Sequence, residues 1–249
     1  MFVSSPFPFF HMFIHSFESM AARDGDGIRY CVFLSGCPLR CVYCHNPDTQ
    51  KRGVKEMTPE EIVKKAARYK PYFKNGGGVT FSGGEPLLQA KEIIKAGDLL
   101  REKGIGYILD TSLALPLTDD VKRAIDGAEM ILADLKFPNS RAMTEYTAGK
   151  LEYVLECLDY IAKTKKRCRI RTVVVPGIND SITALGEYIP LVERASPEAW
   201  ELLPFHTMGF FKCEESGIEN PLKNTPAMDV TALNLLKAEL RGKTAVKII

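Results

Sequence analysis

The sequence predicts an α/β fold in which parallel strands alternate with helices. Short runs rich in apolar and β-branched residues alternate with amphipathic helical patterns along most of the chain. The chain has 249 residues, which is long enough for one large core, as in single-domain α/β barrels. Parallel strands joined by right-handed helical crossovers leave two architectures open, a complete or partial barrel and a doubly wound sheet.

The elements follow from local patterns. Strands are predicted at residues 29–34, 78–82, 106–110, 130–135, 169–175 and 201–204, with a last strand at 246–249. Thr58-Pro59-Glu60-Glu61 has the pattern of a capping box with proline at the first helical position, and it predicts a helix to about Tyr69. Gly104 ends a predicted helix over 87–103. Further helices are predicted at 117–125, 151–164, 181–194 and 231–240.

The first 17 residues are apolar and aromatic, but they lack a basic region and are too short to span a bilayer. We therefore predict that residues 1–13 are an N-terminal extension and that residues 14–249 form one domain. The formal charge of +2 predicts no recruitment of nucleic acid or of an acidic membrane. Seven cysteines without a paired pattern predict a reducing compartment, the cytoplasm.

Three of those cysteines lie within eight residues, as Cys37-x3-Cys41-x2-Cys44. Soft thiolates suit iron–sulfur clusters and zinc, and three ligands to a four-iron cluster leave one iron open for chemistry. A Cys3His zinc site with His45, a haem-attachment sequence and buried free thiols are the alternatives. The remaining cysteines are scattered and are predicted to be core or half-buried residues: Cys31, Cys157, Cys168 and Cys213.

Other unusual polar residues follow the predicted strands at their carboxyl ends. They are Ser82-Gly83-Gly84-Glu85-Pro86, Asp110-Thr111, Asp134-Leu135-Lys136, Arg171 and Pro204-Phe205-His206. In open sheets and barrels this edge holds the active site, so one shared site is predicted there. The glycines lack the order of a phosphate-binding loop, and they favour close approach of the backbone to a ligand. An ammonium group would suit Glu85, which indicates an amino-acid-like, zwitterionic ligand.

These motifs resemble the radical S-adenosylmethionine superfamily. Within it, Asp24-Gly25-x-Gly27-Ile28-Arg29, the cysteine loop with Tyr43-Cys-His-Asn-Pro-Asp-Thr49, and Val174-Val-Pro-Gly177 resemble the activating enzymes of glycyl-radical enzymes, of the pyruvate formate-lyase type. The similarity runs from about Ile14 to the C-terminus. The resemblance implies a partial (β/α)6 barrel of the radical S-adenosylmethionine type.

The resemblance also implies the chemistry. Cys37, Cys41 and Cys44 would hold a [4Fe-4S] cluster whose open iron is chelated by S-adenosylmethionine. Reductive cleavage of that cofactor would give a 5′-deoxyadenosyl radical, which removes hydrogen from a glycine of the partner enzyme. The family implies a flavodoxin or ferredoxin as electron donor, and a monomer is expected.

The resemblance further implies roles for single residues. The cofactor-binding residues would be Tyr43, Cys44, His45, Gly84, Glu85, Asp134, Leu135, Lys136, Arg171 and His206. A monovalent cation would bind Asp110, Thr111 and Asp134, and Asp24 would meet the glycine loop of the partner.

The chain departs from the family at two places. Asp26 stands where the family has proline, which is expected to add charge on the side of the cysteine loop, where the partner docks. Ser112-Leu113 stands where the family has Asn-Gly. Two other functions stay open at this point, a radical enzyme acting on a small molecule or nucleotide and a zinc-stabilised binding module.

Overall fold

A computed structural model gives the structure of the chain and describes residues 11–51, 53 and 55–249. Within these residues, eight strands form one sheet: β1 (Met12–Ala21), β2 (Arg29–Leu34), β3 (Lys55–Met57), β4 (Gly78–Gly83), β5 (Tyr107–Thr111), β6 (Met130–Asp134), β7 (Cys168–Val174) and β8 (Ala199–Pro204). The helices are α1 (Pro59–Ala66), α2 (Ala90–Glu102), α3 (Asp119–Gly127), α4 (Ser140–Thr147), α5 (Leu151–Thr164), α6 (Ile182–Gly186), α7 (Ile189–Ala195), α8 (Phe210–Glu215) and α9 (Val230–Leu240).

The sheet order is β3-β1-β2-β4-β5-β6-β7-β8, and every neighbouring pair from β2 to β8 is parallel. These six parallel strands with their helices confirm the predicted α/β class and the partial barrel. The sheet ends at β3 on one side and β8 on the other, so the barrel is open between the β1 side and β8. The predicted last strand at 246–249 is reduced to one isolated bridge between Trp200 and Ile248.

The strands β1 and β3 were not predicted. β1 pairs antiparallel with β2 and with β3, and Met12 is completely buried. Gln89 binds the backbone of Phe13 on both sides, by accepting from its N–H at 2.7 Å and donating to its carbonyl at 3.1 Å. Met12 and Phe13, which the sequence assigned to the extension, are thus the first residues of β1. Residues 1–10 of that extension lie outside the described part.

Most of the predicted helices are present, with differences at their ends, one helix divided in two and two short helices added. The capping box of α1 is confirmed in both directions, with Thr58 N–H donating to Glu61 at 2.9 Å and Glu61 N–H donating to the Thr58 hydroxyl at 3.3 Å. A 3-10 helix (Ala67–Tyr72) continues α1, and another (Pro86–Gln89) precedes α2. The predicted helix over 181–194 is two short helices, α6 and α7. The short helices α4 and α8 were not predicted.

The interior of the barrel is lined by both polar and apolar side chains, which alternate strand residues direct into it. On β7, Arg169, Arg171 and Val173 line the interior, while the residues between them are buried against the helices. Ile108, Met130 and Leu132 form a small separate apolar cluster. No helix in the described part of the chain is long and apolar enough to cross a membrane.

Candidate active site

One cavity of about 1090 Å³ occupies the interior of the open barrel. Its carboxyl end, where the parallel strands terminate, is lined by the cysteine loop, Asp134, Lys136 and His206. Its amino end, where the strands begin, is lined by Asp24 and Arg169 among others. We call these the carboxyl end and the amino end of the cavity. The prediction of one shared site at the strand ends therefore agrees with the geometry, and the cavity also extends to the opposite edge.

The cysteine loop follows β2 and is held by its backbone. Gly36 N–H donates to the Thr49 carbonyl at 2.8 Å, and Arg40 N–H donates to the Thr147 carbonyl at 2.7 Å. The Arg40 guanidinium also donates to the carbonyls of Cys37 and Leu39, at 2.8 and 2.7 Å. These contacts tie the loop to the 3-10 helix at Pro47–Thr49 and to the end of α4. The loop is therefore shaped before any ligand arrives.

The three thiols of this loop line the cavity, whereas the other four cysteines are buried outside its lining. Burial raises the pKa of Cys37 and of Cys41 to about 12. Among the described residues, no three His, Cys, Asp or Glu side chains are gathered as ligands of a single metal ion. A four-iron cluster differs from a single ion, since each thiolate binds a different iron atom.

Two polar atoms on side chains that line the carboxyl end of the cavity have no hydrogen-bond partner within the described residues. They are the Tyr43 hydroxyl and the His206 Nδ1, both buried, on side chains that line the cavity. Tyr43 packs edge-on against Phe137 with ring centroids 6.0 Å apart, and His206 packs edge-on against His45 at 4.6 Å. Because a buried polar atom without a partner costs free energy, these atoms fit a polar ligand in the cavity.

A charged cluster lies between these residues and the middle of the barrel. Arg171 Nε donates to Asp134 Oδ1 at 2.9 Å, and Arg171 also pairs with Asp110. Lys136 Nζ donates to Asp134 Oδ2 at 2.7 Å. Burial pushes the pKa of Asp134 up, but Arg171 and Lys136 outweigh it and the pKa is lowered. Burial raises the pKa of Asp110, against the effect of Arg171.

Glu85 differs from the expectation, because it is completely buried and lies outside the cavity lining. Its carboxylate accepts hydrogen bonds from the Leu87 N–H at 3.0 Å, the Thr111 hydroxyl at 2.6 Å and the Ser112 N–H at 2.9 Å. The Ser112 hydroxyl donates to it as well. With four donors already in place, Glu85 holds two loops together beneath the cavity instead of facing an ammonium group. Gly84 does line the cavity.

The expected cation site and Leu135 also differ. Asp110 and Asp134 are brought together, because both pair with the same terminal nitrogen of Arg171, whereas the Thr111 hydroxyl is directed to Glu85. The Arg171 guanidinium compensates the charge of both carboxylates. Leu135 is buried outside the cavity lining, although its neighbours Asp134 and Lys136 line it.

Asp24 lines the amino end of the cavity, on a loop that Arg29 holds in place through Thr80. Arg29 is completely buried and donates to the carbonyls of Gly76 and Val79 and to the Thr80 hydroxyl. Thr80 in turn donates to the Asp24 carbonyl at 2.8 Å. This loop precedes β2 and lies at the amino ends of the parallel strands, so the expectation that it lies on the side of the cysteine loop is wrong.

Asp26 also differs from the expectation of a free charge at the docking site. Its carboxylate pairs with Arg169 at 3.0 Å and with Arg167 at 3.2 Å. Burial acts to raise the pKa of Asp26, but the two guanidinium groups outweigh it and the pKa is lowered. Sequence reasoning missed Arg169, although Arg169 and Arg171 lie two residues apart on one predicted strand and so share a face.

Comparison with known proteins identifies the family. The family model of the Radical SAM superfamily matches residues 31–188. The pyruvate formate-lyase-activating enzyme of Clostridium pasteurianum is 39% identical over 219 residues, which cover 87% of this chain and 91% of that protein. The enzyme of the same name from Staphylococcus epidermidis is 37% identical over 231 residues, or 88% of this chain and 91% of that protein. The chain belongs to the radical SAM superfamily, in the pyruvate formate-lyase-activating enzyme family.

Solved structures agree on the fold of this radical SAM protein. A domain of a pyruvate-formate lyase-activating enzyme from Bacteroides vulgatus has a TM-score of 0.55 at 24% identity, covering 70% of this chain and 98% of that chain. Streptococcus suis SuiB bound to S-adenosylmethionine has a TM-score of 0.65 at 15% identity, covering 86% of this chain and 47% of that chain. Both likenesses concern the fold alone.

Membership in the family selects among the alternatives for the cysteine loop. Radical SAM enzymes use a [4Fe-4S] cluster and S-adenosylmethionine. The donor set fits both groups, because three thiols line the cavity beside the free polar atoms of Tyr43 and His206. This protein is therefore an iron–sulfur enzyme of the glycyl-radical-activating type.

Proposed function

We propose that this protein activates a glycyl-radical enzyme of the pyruvate formate-lyase type. The observation that carries the proposal is the continuous cavity, which joins the three thiols at the carboxyl end to Asp24 at the amino end. The barrel is open on the side between β1 and β8, which offers a path for a peptide loop from another protein. The close relatives in sequence are named for the activation of pyruvate formate-lyase.

The residues of the carboxyl end have defined tasks in this proposal. Cys37, Cys41 and Cys44 would hold the cluster. When bound, the cluster and S-adenosylmethionine together supply the one-electron chemistry that removes a hydrogen atom from a glycine of the partner. Lys136 has three N–H donors and Asp134 accepts from one of them, so donor capacity is left for a ligand carboxylate. Arg171 is turned toward Asp110 and Asp134, and it would orient Asp134.

Free polar atoms would orient the rest of the cofactor. The Tyr43 hydroxyl and the His206 Nδ1 lack partners within the described chain and lie on side chains that line the same cavity end. Gly84 lines the same cavity and lets its loop pack closely on the cysteine loop, because a Cβ at this position would collide with the Gly36 carbonyl. His45 packs against the ring of His206 and would keep it in place.

Asp24 would meet the glycine loop of the partner. A carboxylate accepts hydrogen bonds only, and the backbone N–H groups of an extended loop are donors of the required kind. The physiological electron donor would be a flavodoxin or ferredoxin, and one chain supplies the whole cavity, as a monomer would. All seven cysteines are unpaired, which fits the reducing cytoplasm.

The test uses anaerobically reconstituted protein, S-adenosylmethionine, a chemical reductant and purified pyruvate formate-lyase. Electron paramagnetic resonance measures the glycyl radical, and chromatography measures 5′-deoxyadenosine. We expect Asp24→Asn to lower the ratio of radical to 5′-deoxyadenosine about tenfold, as for the loss of a charge-assisted hydrogen bond. The control is Asp119→Asn, because the Asp119 side chain is 92% exposed on α3.

Two outcomes would contradict parts of this proposal. If the unmodified protein forms 5′-deoxyadenosine but no glycyl radical on the partner, the substrate is a different one. If Asp24→Asn keeps the full ratio, activation stands and the role of Asp24 does not.

A further inference from the structure

Arg169 carries an unused donor at the amino end of the cavity. Its side chain lines the cavity, and its Nε is buried without a hydrogen-bond partner among the described residues. Its NH2 group donates to Asp26 Oδ1 at 3.0 Å. One side of the guanidinium is thus fixed by an ion pair, while the buried Nε–H has no acceptor among the described residues.

We propose that Arg169 binds a backbone carbonyl of the partner's glycine loop through its Nε–H, and that Asp26 positions Arg169 for this contact. The inference rests on the proposed function above. Neither residue belongs to the set that the family resemblance assigns, and Asp26 stands where the family has proline.

The chemistry of the two side chains favours a peptide backbone as the ligand. Arg169 is a donor only, and the Asp24 carboxylate is an acceptor only. An extended peptide presents both a carbonyl and an N–H group at almost every residue. Both side chains line the same cavity end, so together they match both groups of a backbone segment. Recognition of the backbone also needs no particular side chain on the partner.

Fixed supports hold this pair of side chains. The Asp24 carbonyl accepts from Thr80 at 2.8 Å, and Arg29 bonds to Thr80 at 3.1 Å. Asp26 pairs with Arg169 and also with Arg167 at 3.2 Å. The ion pairs connect the loop before β2 to β7, on opposite sides of the open barrel.

Arg167 provides a matched comparison for Arg169. Both guanidinium groups pair with Asp26, but Arg167 is outside the cavity lining and its Nε donates to Glu198 at 2.6 Å. Its side chain is 53% exposed, against 22% for Arg169. A change at Arg167 therefore disturbs the ion pair without removing a donor from the cavity.

The ion pairs of Asp26 also bear on which partner loops the protein can accept. A free carboxylate at this position would select a basic residue on the partner loop. Because Arg167 and Arg169 compensate its charge, Asp26 acts through Arg169 and does not attract a partner cation. The ion pairs would fix the loop where the family relies on the rigid backbone of proline.

The experiment measures kcat and KM for glycyl-radical formation on a synthetic peptide with the glycine-loop sequence of pyruvate formate-lyase. Arg169→Lys keeps the positive charge but removes the Nε–H donor, and we expect it to raise KM about tenfold with a smaller effect on kcat. Arg167→Lys should change KM less than about twofold, as for an exposed ion pair. Thermal unfolding of each variant checks that the fold is kept.

The role of Asp26 is tested by rescue. Asp26→Asn should raise KM about threefold, because Arg169 loses its fixed orientation and keeps its donor. Asp26→Glu restores a carboxylate and should return KM toward the unmodified value. A merely structural role would lower the unfolding temperature in Asp26→Asn without moving KM.

A second peptide identifies the bonded group. A peptide in which the carbonyl oxygen of one residue beside the glycine is replaced by sulfur is a weaker acceptor. Unmodified protein should bind this thioamide peptide more weakly than the natural peptide, whereas Arg169→Lys should bind both alike. The position of the thioamide that produces this difference identifies the carbonyl that Arg169 contacts.

The outcomes separate this inference from the proposed function. If the unmodified protein forms no glycyl radical on the peptide or on complete pyruvate formate-lyase, the proposed function fails. If it forms the radical and Arg169→Lys has an unchanged KM, the inference alone fails and water satisfies the Nε–H. An equal rise of KM in Arg167→Lys and Arg169→Lys would also overturn it.

Discussion

The two ends of the cavity both contain ion pairs, but the pairs differ in burial. At the carboxyl end, the side chain of Arg171 is 12% exposed between Asp110 and Asp134. At the amino end, the side chain of Asp26 is 38% exposed between Arg167 and Arg169. Buried pairs are screened weakly by salt and hold their partners firmly, whereas exposed pairs are weak and screened strongly.

This difference matches the two ligands that the ends would receive. A small cofactor needs a fixed set of donors and acceptors, which the buried carboxyl end provides. A loop of another protein must enter and leave, and a half-exposed ion pair allows the amino end to adjust. The chain departs from its family at Asp26 at the amino end and at Ser112-Leu113 at the carboxyl end, where the cysteine loop keeps the pattern of the family.

The largest expected effect is at the cysteine loop. Cys37→Ala, Cys41→Ala or Cys44→Ala should each abolish cleavage of S-adenosylmethionine, because each removes one of three protein ligands to the cluster. Cys157→Ala is the control, since Cys157 is completely buried and lies outside the cavity lining. Iron and sulfide content and a reductive cleavage assay measure both. Full activity in any of the three variants would contradict the open-iron site.

The next largest effect is expected for residues that line the carboxyl end of the cavity. His206→Ala should weaken S-adenosylmethionine binding about tenfold without loss of iron, because it removes the free Nδ1 from the cavity. Asp134→Ala should also weaken binding, since Lys136 and Arg171 lose their shared partner. Calorimetric titration of anaerobic protein measures the affinity.

Glu85→Gln provides the contrast to His206→Ala. A glutamine cannot accept all four donors around Glu85, so the variant should lose about 1–3 kcal/mol of stability, with a smaller change in cofactor affinity. Thermal unfolding and the same titration measure the two quantities. If Glu85→Gln lost affinity at unchanged stability, Glu85 would contact the ligand after all.

Most of the fold could be predicted because its signals are local. The six parallel strands are short runs rich in apolar and β-branched residues, and the capping box at Thr58 marks the start of α1 within four residues. β1 was missed because its apolar residues show no regular alternation and its partners are distant in sequence. Gln89, which binds the backbone of Phe13, is 76 residues away.

The site residues likewise fall into those indicated by local sequence and those that depend on distant contacts. The cysteine triplet and His206 could be predicted because their chemistry is explicit in the residue types. Burial decides the role of Glu85, and residue types do not reveal burial. The partners of Asp26 are 141 and 143 residues away, so no local pattern indicates that its charge is compensated.

At Leu113, backbone strain and burial of the side chain have opposite effects on stability. Its φ of +56° lies in the left-handed region that favours glycine, which the family has at this position. The Leu113 side chain is 1% exposed, and its burial outweighs the backbone strain of about 1 kcal/mol. Leu113→Gly should therefore destabilise the protein by about 2 kcal/mol, measured by thermal unfolding. A gain in stability would mean that the strain is the larger effect.

The smallest effect concerns the acid stability of the amino end. The lowered pKa of Asp26 means that its ion pairs stabilise the fold fully above the pKa of an unfolded aspartate, and that this contribution is lost as pH falls through the folded pKa. Asp26→Asn should lower Tm by about 1–3 °C at pH 7, and the difference should shrink as pH falls below the ordinary aspartate pKa of 3.8 and vanish only below the lowered folded pKa. Asp159→Asn is the control, because Asp159 forms an exposed pair with Arg194 and neither residue lines the cavity. It should show the same acid dependence and leave KM for the partner peptide unchanged. If Asp159→Asn also changed KM for the partner peptide, KM would not depend specifically on the ion pairs of the amino end.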